Sequence, residues 1–148
     1  MFSYRHAFHA GSHADILKHM TLIHLVDYLQ EKPGALTIID THAGAGIYSL
    51  EDGFAAVSKE ADGGILRLQK FTKELANTGN SVPNSIQHYL DLIQAENIGE
   101  KLSIYPGSPF ILASLLRPHT TKLTMRLSSK KVEKDTQPKP PSRDGSAT

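Results

Sequence analysis

The stretch TIIDTHAGAG, residues 37–46, decides how this chain is read. A short, partly β-branched apolar run ends in Asp40, and a loop of small residues with two glycines follows. The run from Leu36 to Asp40, bounded by Gly34 and that loop, predicts a buried strand. A strand that ends in an acid and opens into a Gly-x-Gly turn is common to several nucleotide-binding folds. No Gly-Lys-Ser/Thr follows, so the loop is not a P-loop. The dinucleotide fingerprint fits poorly: Ser49 stands where the third glycine belongs, and Ile47 and Tyr48 are bulky. A loop for S-adenosylmethionine fits better. That cofactor has no phosphates to cradle, and small residues at Ala43, Gly44 and Gly46 would let it lie against backbone. The plain alternative is a tight strand-to-helix turn that holds no ligand.

Outward from the loop, the pattern alternates helix and strand. Residues 1–13 read as irregular and histidine-rich. A helix is expected from about Ala14 to Leu29, with Ser12 and Asp15 at capping-box spacing and an apolar stripe of Ile16, Met20, Ile23 and Val26. Pro33-Gly34 ends it. Beyond the loop, helical periods recur at Ile65, Leu66, Leu68 and Phe71 and again at Ile86, Tyr89, Leu90 and Ile93, divided by NTGNSVPN (77–84). Residues 50–100 therefore read as a small helical unit carried on the main domain. LSIYPGSPFILASLLRP (102–118) predicts a strand to about Tyr105, a turn at Pro106-Gly107, and a helix to Leu116 with Ser108 as N-cap and Pro109 in the first helical position. TKLTM (121–125) starts like another strand. After it the sequence turns polar and aperiodic, and 127–148 reads as a disordered basic tail.

Composition bounds the function. The 148 residues suit one domain, and a net charge of +1 does not demand a nucleic-acid partner. The charge is uneven: from Arg117 onward eight Lys or Arg stand against three acids. With no cysteine there is no disulfide, thiolate zinc site or cysteine nucleophile, which fits a reducing, cytoplasmic setting. The first residues hold no signal-peptide run, and no apolar stretch is long enough to span a membrane. Five of the eight histidines fall within the first 24 residues. His9 and His13 have Gly11 between them, His19 and His24 do not share a helical face, and no carboxylate set completes a tetrahedron, so no metal site is expected.

Three blocks, SYRHAFHAGSHADILKH (3–19), DTHAGAGIYSL (40–50) and YPGSP (105–109), resemble the bacterial 23S ribosomal RNA adenine-N6 methyltransferases, in that family's order and spacing. The resemblance runs from Met1 to about Met125. It implies the N-terminal part of an α/β, Rossmann-like class I methyltransferase fold, doubly wound, with a helical insertion after the glycine loop. The unit at 50–100 sits where that insertion belongs. It also implies S-adenosylmethionine as cofactor, 23S rRNA as partner and a monomer in the cytoplasm. His19, His42 and Ser108 match cofactor-contacting positions, with Gly44 and Gly46 in the loop and Asp40 in support. Tyr4, joined by Lys18, matches a position near the RNA, where Arg5 and Lys18 could meet phosphate.

The chain also departs from that pattern. After the strand at 122–125 the family places an acid that binds the cofactor ribose, whereas Met125 is followed here by Arg126-Leu127-Ser128-Ser129. The family's Asp-Pro-Pro-Tyr loop, whose Asp accepts from the adenine amino group and whose aromatic ring stacks on the flipped base, is replaced by KPPS (139–142). The expectation is thus a partial methyltransferase domain over 1–126, truncated or frameshifted after about Met125, with no catalytic residue to name. The rival readings are a small RNA- or partner-binding module using Arg5, Lys18, the histidines and the basic tail, and a nonfunctional fragment.

Overall fold

Ser12 starts the first helix, α1 (His13–Gln30), by accepting the backbone N–H of Asp15 at 3.4 Å. The structure is a computed structural model and describes residues 6–117 and 121–125. Tyr4, Arg5 and the tail from 126 lie outside the described residues. The α1 line that turns inward is Asp15, His19, Ile23 and Val26, all buried, while Ile16 and Met20 of the expected stripe are only half-buried. His19 is therefore no surface histidine; the residue is 4% exposed. Leu17, Leu25 and Tyr28 lie exposed on other sides of the same helix.

The expected strand at 36–40 forms as β1 (Leu36–Asp40). It pairs in parallel with β4 (Thr121–Met125), in register from Leu36 opposite Thr121 to Asp40 opposite Met125. A parallel pair needs a long crossover, here the whole helical unit, and it makes the fold mixed α/β. Leu36, Ile38 and Asp40 are half-buried, whereas Thr37 and Ile39 face out, Ile39 being 66% exposed.

The third expected strand is β3 (Ile104–Pro106), but it does not join that pair. It runs antiparallel to β2 (Ile47–Ser49), with Tyr48 opposite Tyr105. The glycine loop thus joins strand to strand, and is not the strand-to-helix turn of the plain alternative. After Gly46 the bulky residues Ile47-Tyr48-Ser49 run extended, with Tyr48 buried between two exposed neighbours.

Between β2 and β3 lie α2 (Gly53–Ser58), α3 (Glu60–Gly63), α4 (Ile65–Asn77) and α5 (Asn84–Gln94). The last two match the expected helices, and α2 and α3 are additional short turns. The unit is pinned to the entry of α1. Ile65 N–H donates to the Gly11 carbonyl at 2.8 Å, and a Cβ on Gly64 would overlap that carbonyl. Asn97 ties α5 to β3: its amide donates to the carbonyls of Ile93 (2.9 Å) and Ile104 (2.8 Å) and accepts from the N–H groups of Ser103 and Ile104, each at 2.8 Å. The core gathers Ile23, Ile65, Tyr89, Ile93, Tyr105 and Ile111.

The helix after β3, α6 (Ser108–Leu115), is capped by Gly107, whose carbonyl accepts from Phe110 and Ile111, and not by Ser108 as expected. Ser108 occupies the first turn, because its hydroxyl is engaged elsewhere. Among the described residues no helix is long and apolar enough to cross a membrane.

Candidate functional site

Four segments meet at one cleft of about 390 Å³. Lys18, His19 and Leu22 come from α1, His42, Ala43 and Gly44 from the glycine loop, Tyr48 from β2, and Gly107 and Ser108 from the start of α6. Segments far apart in sequence are held there by specific bonds.

Asp40, at the end of β1, is the latch. One carboxylate oxygen accepts the His42 N–H at 3.0 Å, and the other accepts the Ser108 hydroxyl at 2.7 Å. The strand end, the loop and the first turn of α6 are thus locked together. A second tie is the Gly107 N–H donating to the Gly46 carbonyl at 2.7 Å. His42 is exposed, with its Nδ1 2.8 Å from the Thr41 hydroxyl.

Gly44 (φ +60) and Gly46 (φ +86) sit in the left-handed region that side chains disfavour. Close packing within the chain is a second reason for glycine. A Cβ on Gly44 would overlap the Tyr48 hydroxyl, and one on Gly46 would stand 3.2 Å from the Phe110 ring. The Tyr48 hydroxyl in turn accepts the Ala45 N–H at 3.1 Å, so the tyrosine braces the loop.

His19 is held from behind. Its Nδ1 lies 3.0 Å from the Tyr105 hydroxyl, which lies 2.9 Å from that of Tyr89. The His19 and Tyr105 rings stack with centroids 5.5 Å apart. Burial pushes both tyrosine hydroxyls well above their usual pKa, and the nearby Asp15 carboxylate pushes the same way. Asp15 is fully buried, and the half-exposed Lys18 ammonium stands 2.6 Å from it. Lys18 therefore reaches the cleft with its charge already partly answered.

The arrangement presents imidazoles, a hydroxyl, an ammonium and backbone to a cavity of ordinary small-molecule size, with one aromatic wall. Of the residues singled out in the sequence, Lys18, His19, His42, Gly44 and Ser108 line it. Gly46 and Asp40 act behind the lining, and Tyr4 lies outside the described residues. Leu22, Tyr48 and Gly107 were not foreseen; Tyr48 had counted only as bulk against a dinucleotide loop. Among the described residues no group of three His, Asp or Glu is placed to hold a metal ion. A smaller groove of about 220 Å³ runs between α4 and α5, lined by Gln69, Lys73, Gln87 and Asp91 among others.

The family described as Ribosomal RNA large subunit methyltransferase D, RlmJ, matches residues 33–134. The chain is 38% identical over 117 residues to an Escherichia coli protein named Ribosomal RNA large subunit methyltransferase J, covering 79% of this chain and 39% of the relative. It is 38% identical over 128 residues to the Haemophilus influenzae protein of that name, covering 86% and 43%. Among solved structures, a Legionella pneumophila protein superposes with a TM-score of 0.67 at 34% identity, over 79% of this chain and 39% of that one. The chain spans about two-fifths of the length of the relatives it matches.

Proposed function

The chain belongs to the family described as Ribosomal RNA large subunit methyltransferase D, RlmJ, and from that membership we propose that its cleft receives S-adenosylmethionine for methyl transfer to N6 of an adenine in 23S rRNA. The observation that carries the reading is convergence. Four residues picked out in the sequence for the cofactor, His19, His42, Gly44 and Ser108, line one cleft although they come from three separate segments, and Lys18 borders it. The parallel pair β1 and β4 then belongs to a partial Rossmann-like class I domain over residues 1–126, with about 50–100 as its helical insertion.

The donor set suits this cofactor. Imidazole, hydroxyl and backbone groups can meet its amino-acid and sugar polar atoms, and the loop lacks the lysine and hydroxyl pair that a phosphate cradle uses. When bound, S-adenosylmethionine supplies an electrophilic methyl group on a sulfonium. The chain's own residues bind and orient. His19 and His42 offer polar ring edges from opposite elements. Ser108 stands at the first turn of α6, the positive end of that helix's dipole. Asp40 fixes loop and helix relative to each other. Tyr4 and Lys18 are assigned to the RNA side.

Transfer to N6 needs an acceptor that draws on the adenine amino group and a ring on which the flipped base stacks. The 148 residues contain KPPS at 139–142 and no Asp-Pro-Pro-Tyr, and no acid directly follows Met125. The chain alone therefore binds weakly and does not turn over. Photo-crosslinking with methyl-labelled S-adenosylmethionine tests the site: label is expected in peptides covering 13–30, 41–50 or 104–116. Label confined to other peptides would overturn it. An assay on unmethylated 23S rRNA tests the second point, with no methyl incorporation expected from the 148-residue chain.

A further inference from the structure

Tyr48 touches backbone on two sides of the cleft. It stands on β2, opposite Tyr105 in the ladder with β3, and is 7% exposed. On one side its hydroxyl accepts the Ala45 N–H at 3.1 Å, and the same oxygen overlaps the place of a Cβ on Gly44. On the other side its ring carbon Cε2 would stand 3.2 Å from a Cβ on Gly107, the residue that caps α6. Gly44, Tyr48 and Gly107 all line the cleft. The two backbones are also tied directly, by the Gly107 N–H donating to the Gly46 carbonyl at 2.7 Å.

The glycines report the same fit. Gly107 has φ −85, a value any residue adopts, so its conformation does not require glycine. Contact does: a Cβ there would press on Tyr48 and stand 3.2 Å from the Gly46 carbonyl oxygen. Gly44 has φ +60, which favours glycine already. The further obstacle at Gly44 is a single atom. The Tyr48 hydroxyl oxygen occupies the place of the Cβ, whereas the next ring atom, Cζ, would lie at an ordinary 3.7 Å. Taking away that oxygen alone makes room.

We propose that Tyr48 is a positioning residue that sets the spacing between the glycine loop and the start of α6, and that Gly44 and Gly107 are small to admit its ring. A flat ring on a paired strand has few torsions to order, so it serves as a rigid spacer. The width of the cleft is then fixed before a ligand arrives, which lowers the ordering cost of binding. The spacing follows from contacts within the chain. Its bearing on affinity rests on the reading of the cleft as the S-adenosylmethionine site.

The full chain is used for every test. In 15N-labelled protein, Tyr48→Phe is expected to move the Ala45 amide proton upfield and to speed its exchange, with the α5 amides unchanged. An unmoved Ala45 amide overturns the proposal. In urea, Gly44→Ala is expected to lower the unfolding midpoint less in the Tyr48→Phe background than in wild type, because the obstructing oxygen is gone; the left-handed φ keeps a remaining cost. An equal loss in both backgrounds overturns the proposal. Should Gly44→Ala alone fail to fold, recovery of folding in the double variant supports it, and no recovery counts against it. S-adenosylmethionine titration reads the positioning. The folded Tyr48→Phe chain is expected to bind roughly two- to tenfold more weakly than wild type. Unchanged affinity would mean that Tyr48 serves stability alone, and overturns the positioning role. No binding in either chain, with the expected amide shift and midpoints, leaves the spacing standing and refutes the reading of the cleft.

Discussion

Removing the Asp40 latch should loosen the site by an amount the structure lets us size. Asp40→Ala deletes two acceptors, one for the His42 N–H at 3.0 Å and one for the Ser108 hydroxyl at 2.7 Å. Hydrogen bonds to a charged group contribute about 1.5–3 kcal/mol when buried and less when water can replace the lost partner. The His42 bond lies at the surface, so its share is about 0.5 kcal/mol. The Ser108 bond is short and partly buried, so its share is about 1–1.5 kcal/mol. Asp40→Ala should therefore cost about 2 kcal/mol, and Ser108→Ala about 1 kcal/mol, because a small side chain is lost with its bond. The two residues act through one contact, so the double variant should cost about 1 kcal/mol less than the sum. Urea unfolding of the four chains, read by far-UV circular dichroism, completes the cycle. Costs that add to within about 0.3–0.5 kcal/mol would mean that the two groups are not coupled, and the latch would have to be abandoned.

Other expectations follow from single contacts. Gly64→Ala drives a Cβ into the Gly11 carbonyl and should cost about 3 kcal/mol or more, read as a lowered unfolding midpoint, since backbone cannot move aside cheaply. Gly44→Ala meets both a left-handed φ of +60 and the Tyr48 hydroxyl, and should cost about 2 kcal/mol in the same assay. Burial raises the Tyr89 and Tyr105 hydroxyls above the ordinary value of 10.0. A raised folded-state pKa contributes stability that is full below the unfolded value and lost as pH rises above it. Tyrosinate absorbance in alkaline titration should therefore show the Tyr89 and Tyr105 pair appearing only as the chain unfolds. Leu17, Leu25, Tyr28 and Ile39 leave apolar surface on α1 and β1, so the chain should bind a hydrophobic dye and unfold over a broad urea range.

Much of this was legible because it is local. Ser12 before an apolar stripe, the Pro33-Gly34 stop and the NTGNSVPN turn mark helix ends through chemistry confined to a few residues, and α1, α4 and α5 lie where those signals put them. The parallel partner of 36–40 was legible as a strand but not as a partner, since pairing depends on a crossover of eighty residues, from Asp40 to Thr121. The antiparallel β2–β3 ladder was missed because Ile47-Tyr48-Ser49 is three residues long, too short for alternation to show. Ser108 misled in a useful way. Its type and place suggested an N-cap, but a carboxylate distant in sequence, Asp40, claims the hydroxyl. His19 could be singled out from a motif. Its burial and its tyrosine partners could not, because they come from α5 and β3 and exist only once the helical unit packs against α1.

The cleft as a site for S-adenosylmethionine is tested most directly by titrating that compound into the 15N-labelled chain and following the backbone amides. We expect weak binding, with a dissociation constant in the millimolar range, about −4 kcal/mol, since no acid directly follows Met125, where the resembled family places one for the ribose. The shifts should cluster at 18–22, 42–48 and 107–110. Shifts confined to the groove between α4 and α5, or none at millimolar cofactor, would contradict the assignment.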